Sequence, residues 1–308
     1  MRSSLSRAWQ RLRREARQFL ELMLLPWLLA RLPWSWAFAC MRVLARCEWL
    51  YRDATQAALA KVREWGWVGS DPAYWCWQRR LVTLVDHTDH YLGLSRGDRW
   101  MRRHLHVDGQ WPEPGQPAWL ATFHWGTGYW GLRHQRAHGM KAHALVSALD
   151  PAHYVGQSVL FAYAKSRTRH VAHALGTPTL EIHNSLRPVL KALRAKESLI
   201  ALPDVPADQA AASLPVSLLG RTVWVPRGML RLAVEHQIPV WINHFDMDLR
   251  TGRRTLVIRP LGVFEDQDQL ARALFQALQS LIEKEPAFWH LWAQVERFVQ
   301  PPQAANPP

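Results

Sequence analysis

Cysteine is scarce in this chain of 308 residues, which contains only Cys40, Cys47 and Cys76. The count is odd, and the spacing is not that of a metal site. Free thiols in a reducing compartment are the simplest interpretation.

Long apolar runs are also missing. Residues 19–45 are rich in Leu, Trp and Met, but Pro26, Arg31 and Pro33 interrupt them. No uninterrupted stretch reaches the roughly 20 residues of a membrane-spanning helix. No clear small-residue cleavage site follows the apolar part, which argues against a signal peptide.

Recognised metal and nucleic-acid motifs are absent as well. Histidines occur in close pairs, but no acid-and-histidine set follows at metalloenzyme spacing, so we expect no metal site. No recognition-helix, zinc-finger or RNA-binding aromatic signature is present, so we expect no nucleic-acid partner.

Basic residues and tryptophan are abundant. The chain has 38 Lys and Arg against 25 Asp and Glu, a net charge of +13, and 18 tryptophans. Tryptophan combined with arginine suits a membrane–water interface or another anionic partner.

The N-terminal region concentrates this composition. Residues 1–18 carry six arginines against the single acid Glu15. The pattern favours a basic arm leading to helices that lie in an anionic membrane surface, with Trp27, Trp34 and Trp36 at headgroup level. A soluble helical hairpin packed on the protein and a single membrane span are the alternatives.

After this region, helical periodicity gives way to alternating strands and helices. Residues 54–65 and 73–92 have apolar positions at helical spacing, and a Pro- and Gly-rich linker covers 110–117. The later strands are predicted at 118–123, 142–147, 198–202, 214–218, 221–225, 238–245 and 254–260. The later helices are predicted at 128–138, 153–165, 184–196, 227–236 and 267–284.

This order predicts an α/β fold: a mixed central sheet flanked by helices, with an N-terminal helical membrane-associating region. The predicted divisions are a basic arm and helical region over 1–110, an α/β domain over 111–300, and a disordered tail over 301–308.

One stretch, residues 117–132, combines a strand, a histidine and a turn. His124 follows the apolar run, and Gly126 and Gly128 permit a tight turn into a helix. Ligands bind at this edge of open α/β sheets, and nearby peptide N–H groups can stabilise negative charge. An ordinary strand–turn–helix with a hydrogen-bonded histidine is the alternative.

Five segments carry a family resemblance when they are taken in order. They are LLARLPWSWAFACMRVLAR, ATFHWGTGYWGL, SLRPVLKALRAKESLIALPDVPAD, VWVPRGMLRLAVEHQIPVWINHF and PAFWHLWAQVERF. Together they resemble the bacterial acyltransferases of lipid A biosynthesis, of the lauroyl/myristoyl type, within the lysophospholipid acyltransferase superfamily.

The resemblance implies an enzyme at the cytoplasmic face of the bacterial inner membrane, peripheral or monotopic. It would move a fatty acyl group from an acyl carrier protein or coenzyme A thioester to a hydroxyl or amine of a lipid or metabolite, without a further cofactor. His124 takes the general-base role.

The sequence departs from the family at one position. Where the family has Asp or Glu, five residues after the histidine, this chain has Tyr129. Tyrosine can hold an imidazole but stays neutral near pH 7. Three interpretations follow: another acid, Asp204 first and Asp150 second, orients His124; the acceptor is a more nucleophilic amine; or catalysis is lost and only lipid or acyl-chain binding remains.

The candidate substrate-binding residues complete the interpretation. They are Trp125, Gly126 and Thr127 beside His124, Arg167 and Arg169 after a helix, and Arg227 after Pro226. The arginines would meet a phosphate or an acidic carrier protein, and solvated surface arginines are the alternative. Phe123, Trp125 and Trp130 line an acyl-chain tunnel or belong to the core.

Overall fold

The strands form where short apolar and β-branched runs stand between turns. The computed structural model describes residues 2–181, 186–206 and 212–299, with side chains from residue 8 onward. Within these residues the strands are β1 (Leu105–Asp108), β2 (Trp119–Ala121), β3 (Ala142–Val146), β4 (Leu180–Glu181), β5 (Ser198–Ala201), β6 (Ser213–Leu218), β7 (Arg221–Pro226), β8 (Val240–Met247) and β9 (Arg254–Gly262).

Except for α8, the helices predicted from periodicity agree with the structure to within about three residues at each end. They are α1 (Arg2–Phe19), α2 (Leu25–Leu29), α3 (Trp34–Leu44), α4 (Arg52–Glu64), α5 (Pro72–Ser95), α6 (Asp98–His104), α7 (Tyr129–Ala137), α8 (Ser158–Leu175), α9 (Arg187–Arg194), α10 (Gly228–Glu235), α11 (Gln267–Lys284) and α12 (Glu296–Val299). A π-helical turn, Leu20–Leu24, joins α1 to α2.

Seven strands form one mixed sheet in the order β1-β9-β8-β2-β5-β3-β4. The pair β8–β9 is antiparallel, and the other pairs are parallel. The predicted α/β fold with a mixed sheet flanked by helices is confirmed. The strands β6 and β7 form a separate antiparallel hairpin instead of joining the sheet.

Apolar side chains cover both faces of the central strand β2. Trp119 and Ala121 point into one apolar cluster, and Leu120 points into the other. Successive strand residues alternate between faces, so β2 is buried on both sides, as parallel strands in α/β proteins are. The end of β2 is therefore held rigidly from both layers.

Some boundaries differ from the prediction. The sheet includes β1, which was not predicted and precedes the proposed division at 110/111. The helix α8 covers Ser158–Leu175 instead of the predicted 153–165, so Arg167 and Arg169 lie within this helix and not after it. Gly156, with a left-handed φ of 72°, precedes its start. Pro226 ends β7, and α10 begins at Gly228, one residue after the predicted start at 227. The tail 301–308 lies outside the described residues.

The N-terminal helices pack on the sheet layers. Trp34 is buried and donates its indole N–H to the Gly252 carbonyl at 3.2 Å, so its predicted place at headgroup level is wrong. Trp27 and Trp36 are exposed. Among the residues that the structure describes, no helix combines the length and apolar character that crossing a membrane requires.

Candidate active site

The register of the sheet brings His124 and Asp204 together. The strands β2 and β5 are parallel neighbours, and Ala121 is paired with Ala201. His124 and Asp204 each follow their paired alanine by three residues. Because the two strands are parallel and in register, residues that follow the paired alanines by the same number of positions lie close together. Both are at the carboxyl edge of the sheet, where α/β proteins bind ligands.

Asp204 is fully buried and interacts with His124 through both carboxylate oxygens. Oδ1 lies 3.1 Å from His124 Nδ1, and Oδ2 accepts the His124 backbone N–H at 2.9 Å. The Trp289 indole N–H also donates to Oδ2, at 3.0 Å. These donors compensate for the removal of the carboxylate from water.

This contact determines which ring nitrogen of His124 can act as a base. A carboxylate only accepts hydrogen bonds, so Nδ1 carries the proton and Nε2 is left with its lone pair. Burial disfavours the imidazolium, but the Asp204 carboxylate outweighs it and raises the pKa of His124 above its usual 6.5. The side chain remains 38% exposed, so the ring is open to a substrate.

A second segment, residues 287–290, closes over the histidine backbone. The His290 N–H donates to the His124 carbonyl at 2.8 Å, and the Gly126 N–H donates to the Phe288 carbonyl at 3.0 Å. Gly126 has a φ of +55°, and a Cβ there would lie 3.3 Å from the Phe245 carbonyl oxygen. Glycine therefore permits the tight path between the two backbones.

Tyr129 is not the hydrogen-bond partner of the His124 ring among the described residues, because its hydroxyl is directed to the His170 carbonyl. Residue 129 opens α7, and its ring packs against α5, where a Cβ on Gly93 would lie 2.0 Å from the ring. The phenol oxygen lies 3.4 Å from the His170 carbonyl oxygen. Asp204, and not Tyr129, is therefore the residue that contacts Nδ1 of His124.

Arg167 lies near the site in an ion pair that the sequence did not indicate. Its guanidinium contacts both oxygens of Asp86 on α5, at 2.7 and 3.2 Å, and Tyr163 at 3.2 Å. Burial opposes the charge, but Asp86 raises the pKa of Arg167 further. The Arg167 charge in turn acts against protonation of His124. The Arg167 charge is therefore held in place by Asp86, and it lies close enough to His124 to oppose its protonation.

The residues after His124 are mostly core. The side chains of Trp125 and Thr127 are buried, and Trp125 packs against Phe288 with ring centroids 5.5 Å apart. The backbone N–H groups of Thr127 and Gly128 find no acceptor among the described residues. Any contribution of this turn to binding would come from those N–H groups, not from the side chains.

The other candidates lie outside the His124 contact set. Asp150 caps a 3-10 turn through the Ala152 N–H at 2.8 Å. Arg169 is exposed on α8. Arg227 donates to the Gln267 side chain at 2.7 Å, at the start of α11. None of the three contacts His124; of the predicted acids and arginines, only Asp204 does, and Arg167 acts on the ring through its charge.

Two residues of the site were missed by the sequence analysis, Trp289 and Asp86. Both contacts join positions that are 81 to 85 residues apart. The C-terminal segment was recognised only as a motif, and no local signal indicated its indole donor.

Two cavities in the described part of the chain, of about 460 and 330 Å³, lie elsewhere. The larger of the two is lined by the linker 109–116 together with β8 and β9. The smaller is lined by Asp98 and α7. The exposed edge of His124 is therefore a better candidate site than either cavity, because it carries the polarised base.

No protein-family model matches this chain, and no curated protein is significantly similar to it.

Proposed function

We propose that this protein is an acyltransferase that moves a fatty acyl group from an acyl carrier protein or coenzyme A thioester to a hydroxyl or amine of a lipid or metabolite. The observation that carries the proposal is the His124–Asp204 pair, 3.1 Å apart at the carboxyl edge of the sheet. A buried carboxylate on Nδ1 and an exposed Nε2 are the arrangement that general-base catalysis requires.

In the proposed reaction, Nε2 of His124 removes the proton from the acceptor hydroxyl or amine. The acceptor atom attacks the thioester carbonyl carbon, and the C–S bond breaks as the tetrahedral intermediate collapses. The imidazolium then returns the proton to the departing thiolate. Asp204 stabilises the imidazolium between these two transfers.

Two further groups support this chemistry. The backbone N–H groups of Thr127 and Gly128, without acceptors among the described residues, are candidates to bind the developing oxyanion. Arg167 supplies a fixed cation that suits a phosphate of the donor or acceptor.

The direct test is a mass-spectrometric assay with acyl carrier protein and coenzyme A donors and a panel of lysolipid and amine acceptors. Product formation by the purified protein supports the proposal. Bound lipid or acyl chain without turnover across the panel would favour the alternative, a protein of this fold that only binds lipid.

Replacing Tyr129 with phenylalanine is expected to leave the acyl transfer rate within about twofold. The change keeps the ring against Gly93 and removes only a 3.4 Å contact at the edge of hydrogen-bond range. The measurement is kcat/KM with the best donor. A loss of tenfold or more would show that the hydroxyl assists the reaction.

We further propose that the protein works at the cytoplasmic face of the bacterial inner membrane. Exposed apolar side chains form a stripe along the N-terminal helices, which includes Trp9, Leu12, Phe19 and Trp27. Residues spaced three or four apart share one face of a helix. The flanking arginines suit an anionic lipid surface, and each adds about 1 kcal/mol of attraction there.

A different face of α1 is held to the protein. The Glu15 carboxylate accepts the Ser158 and Val159 N–H groups at the start of α8, at 2.7 and 2.9 Å. The stripe is therefore fixed in orientation relative to α8, which also carries Arg167.

The double variant Trp9→Glu/Phe19→Glu is expected to bind anionic vesicles at least tenfold more weakly. It removes two apolar side chains that would be buried in the membrane surface and puts two negatively charged ones in their place. Co-sedimentation with vesicles measures this. The matched control, Gln269→Glu/Gln276→Glu, adds the same charge on exposed positions of α11. Equal loss in both variants would contradict docking through this stripe.

A further inference from the structure

The segment 287–290 interacts with both partners of the His124–Asp204 pair. It donates the Trp289 indole N–H to Asp204 Oδ2 at 3.0 Å. Two backbone hydrogen bonds flank Trp125: the His290 N–H donates to the His124 carbonyl, and the Phe288 carbonyl accepts the Gly126 N–H. Trp125 and Trp289 form the antiparallel bridge between the two backbones.

Arg79 of α5 fixes this segment in turn. Its guanidinium donates to the carbonyls of Ala287, Trp289 and His290, at 3.2, 2.8 and 3.0 Å. The residue is only 7% exposed. Burial lowers its pKa to about 10, which still leaves it charged at neutral pH. An unpaired buried charge is costly, so the three carbonyls stabilise the Arg79 guanidinium. The same hydrogen bonds fix the position of the segment 287–290.

The ring of His290 adds another contact. Its Nε2 lies 2.8 Å from the Gly126 carbonyl oxygen, to which it donates. Burial is the main reason that the pKa of His290 falls to about 4, so the ring is neutral at physiological pH. The segment therefore makes one side-chain and two backbone hydrogen bonds to residues 124–126, besides the packing of Phe288 on Trp125, and Arg79 binds the segment through its carbonyls.

We propose that Arg79 and Trp289 are positioning residues for the general base: Arg79 fixes the segment 287–290, and the Trp289 indole holds the Asp204 carboxylate in line with His124. This inference rests on the proposed function for its catalytic meaning. The positioning itself is a property of the contacts and can be measured without a substrate.

The Trp289 N–H takes up part of the carboxylate charge. Without it, more of that charge is available to an imidazolium at His124. The charged and titratable groups that influence the ring electrostatically are Asp204 after β5, which contacts it, Arg167 on α8, and His290 in the segment. Of these, only the environment of Asp204 changes directly when the indole is removed.

The first experiment is an NMR titration of the His124 ring in the full-length protein. The signal is assigned by its loss in His124→Gln. Trp289→Phe is expected to raise the pKa of His124 by at least about 0.3, a twofold change in its protonation equilibrium. The matched control is Trp292→Phe, which removes a buried indole that donates to the Pro286 carbonyl instead.

An unchanged pKa in Trp289→Phe, or an equal change in Trp292→Phe, would overturn the role of the indole. A second variant keeps the proposal testable if Trp289→Phe does not fold. Arg79→Lys keeps the charge, but its single ammonium group cannot reproduce the planar fork. The Gly126 and His290 amides should then exchange with solvent at least tenfold faster.

The control for this variant is Arg80→Lys, because the neighbouring Arg80 donates to the Ala45 carbonyl and not to the segment. Equal exchange in Arg79→Lys and wild type would overturn the role of Arg79. Failure of the proposed function is a separate result: wild-type protein without transferase activity would remove the catalytic meaning, while the pKa and exchange data would still decide the positioning.

Discussion

Replacing His124 with glutamine is expected to lower acyl transfer by about 10²–10⁴-fold, the contribution of a positioned general base. Glutamine retains polarity and similar size but cannot take the acceptor's proton. The measurement is kcat/KM with the acyl donor that gives the highest wild-type rate. The free energy of unfolding should fall by about 1–3 kcal/mol, because the fully buried Asp204 carboxylate loses the ring N–H as a hydrogen-bond donor.

His138→Gln is the matched control, because this histidine is exposed at the end of α7 and contacts no part of the site. It should retain wild-type activity. Wild-type transfer by a folded His124→Gln protein would remove the histidine from the mechanism, and with it the observation on which the proposed function depends.

Replacing Asp204 with asparagine is expected to cost on the order of 10²–10⁴ in kcat/KM near neutral pH, since the same change behind a protease histidine costs about 10⁴. Asparagine keeps the shape and an acceptor for the Trp289 indole. It removes the negative charge that stabilises the imidazolium, and its amide can reverse the hydrogen bond so that Nδ1 loses its proton.

The pH dependence of activity should shift in a defined direction in Asp204→Asn. The base must be neutral, so activity falls as the pH drops below the pKa of His124. Asp204 raises that pKa against the opposing effect of burial. Without the carboxylate the pKa falls, and the acidic limb of the kcat/KM profile should move to lower pH.

Asp150→Asn is the matched control, because this carboxylate caps a 3-10 turn and does not contact His124. It should leave both the rate and the acidic limb in place. An acidic limb that stays at the wild-type pH in Asp204→Asn would contradict the assigned partnership.

The positions of most elements were predictable because their signals are local. The run at 142–147 became β3 (Ala142–Val146), and the helix expected at 267–284 is α11 with the same bounds. Asp266, directly before this helix, caps it by accepting the Gln269 N–H, a local interaction that aspartate favours at this position. The two-residue β4 has too few residues for a local pattern, and only pairing with β3 makes it a strand.

Burial of individual tryptophans was not predictable in the same way. Trp34 and Trp36 are two residues apart in one basic, apolar segment, yet Trp34 is 8% exposed and Trp36 is 69% exposed. On a helix, such neighbours face different directions. The composition indicated that the whole segment lies at a membrane interface. Only the packing of Trp34 against the turn at Gly252 makes it buried while Trp36 stays exposed.

The sequence by itself determined that a histidine ends a buried strand and is followed by a glycine-rich turn into a helix. Those are local properties of apolar runs and turn residues. Only the tertiary structure decided which acid that histidine meets. Asp204 is 80 residues away in the chain, and Tyr129 only five, yet the parallel register of β2 and β5 brings Asp204 to Nδ1 while α7 directs Tyr129 toward α5. Long-range strand pairing sets side-chain proximity, and no local pattern encodes it.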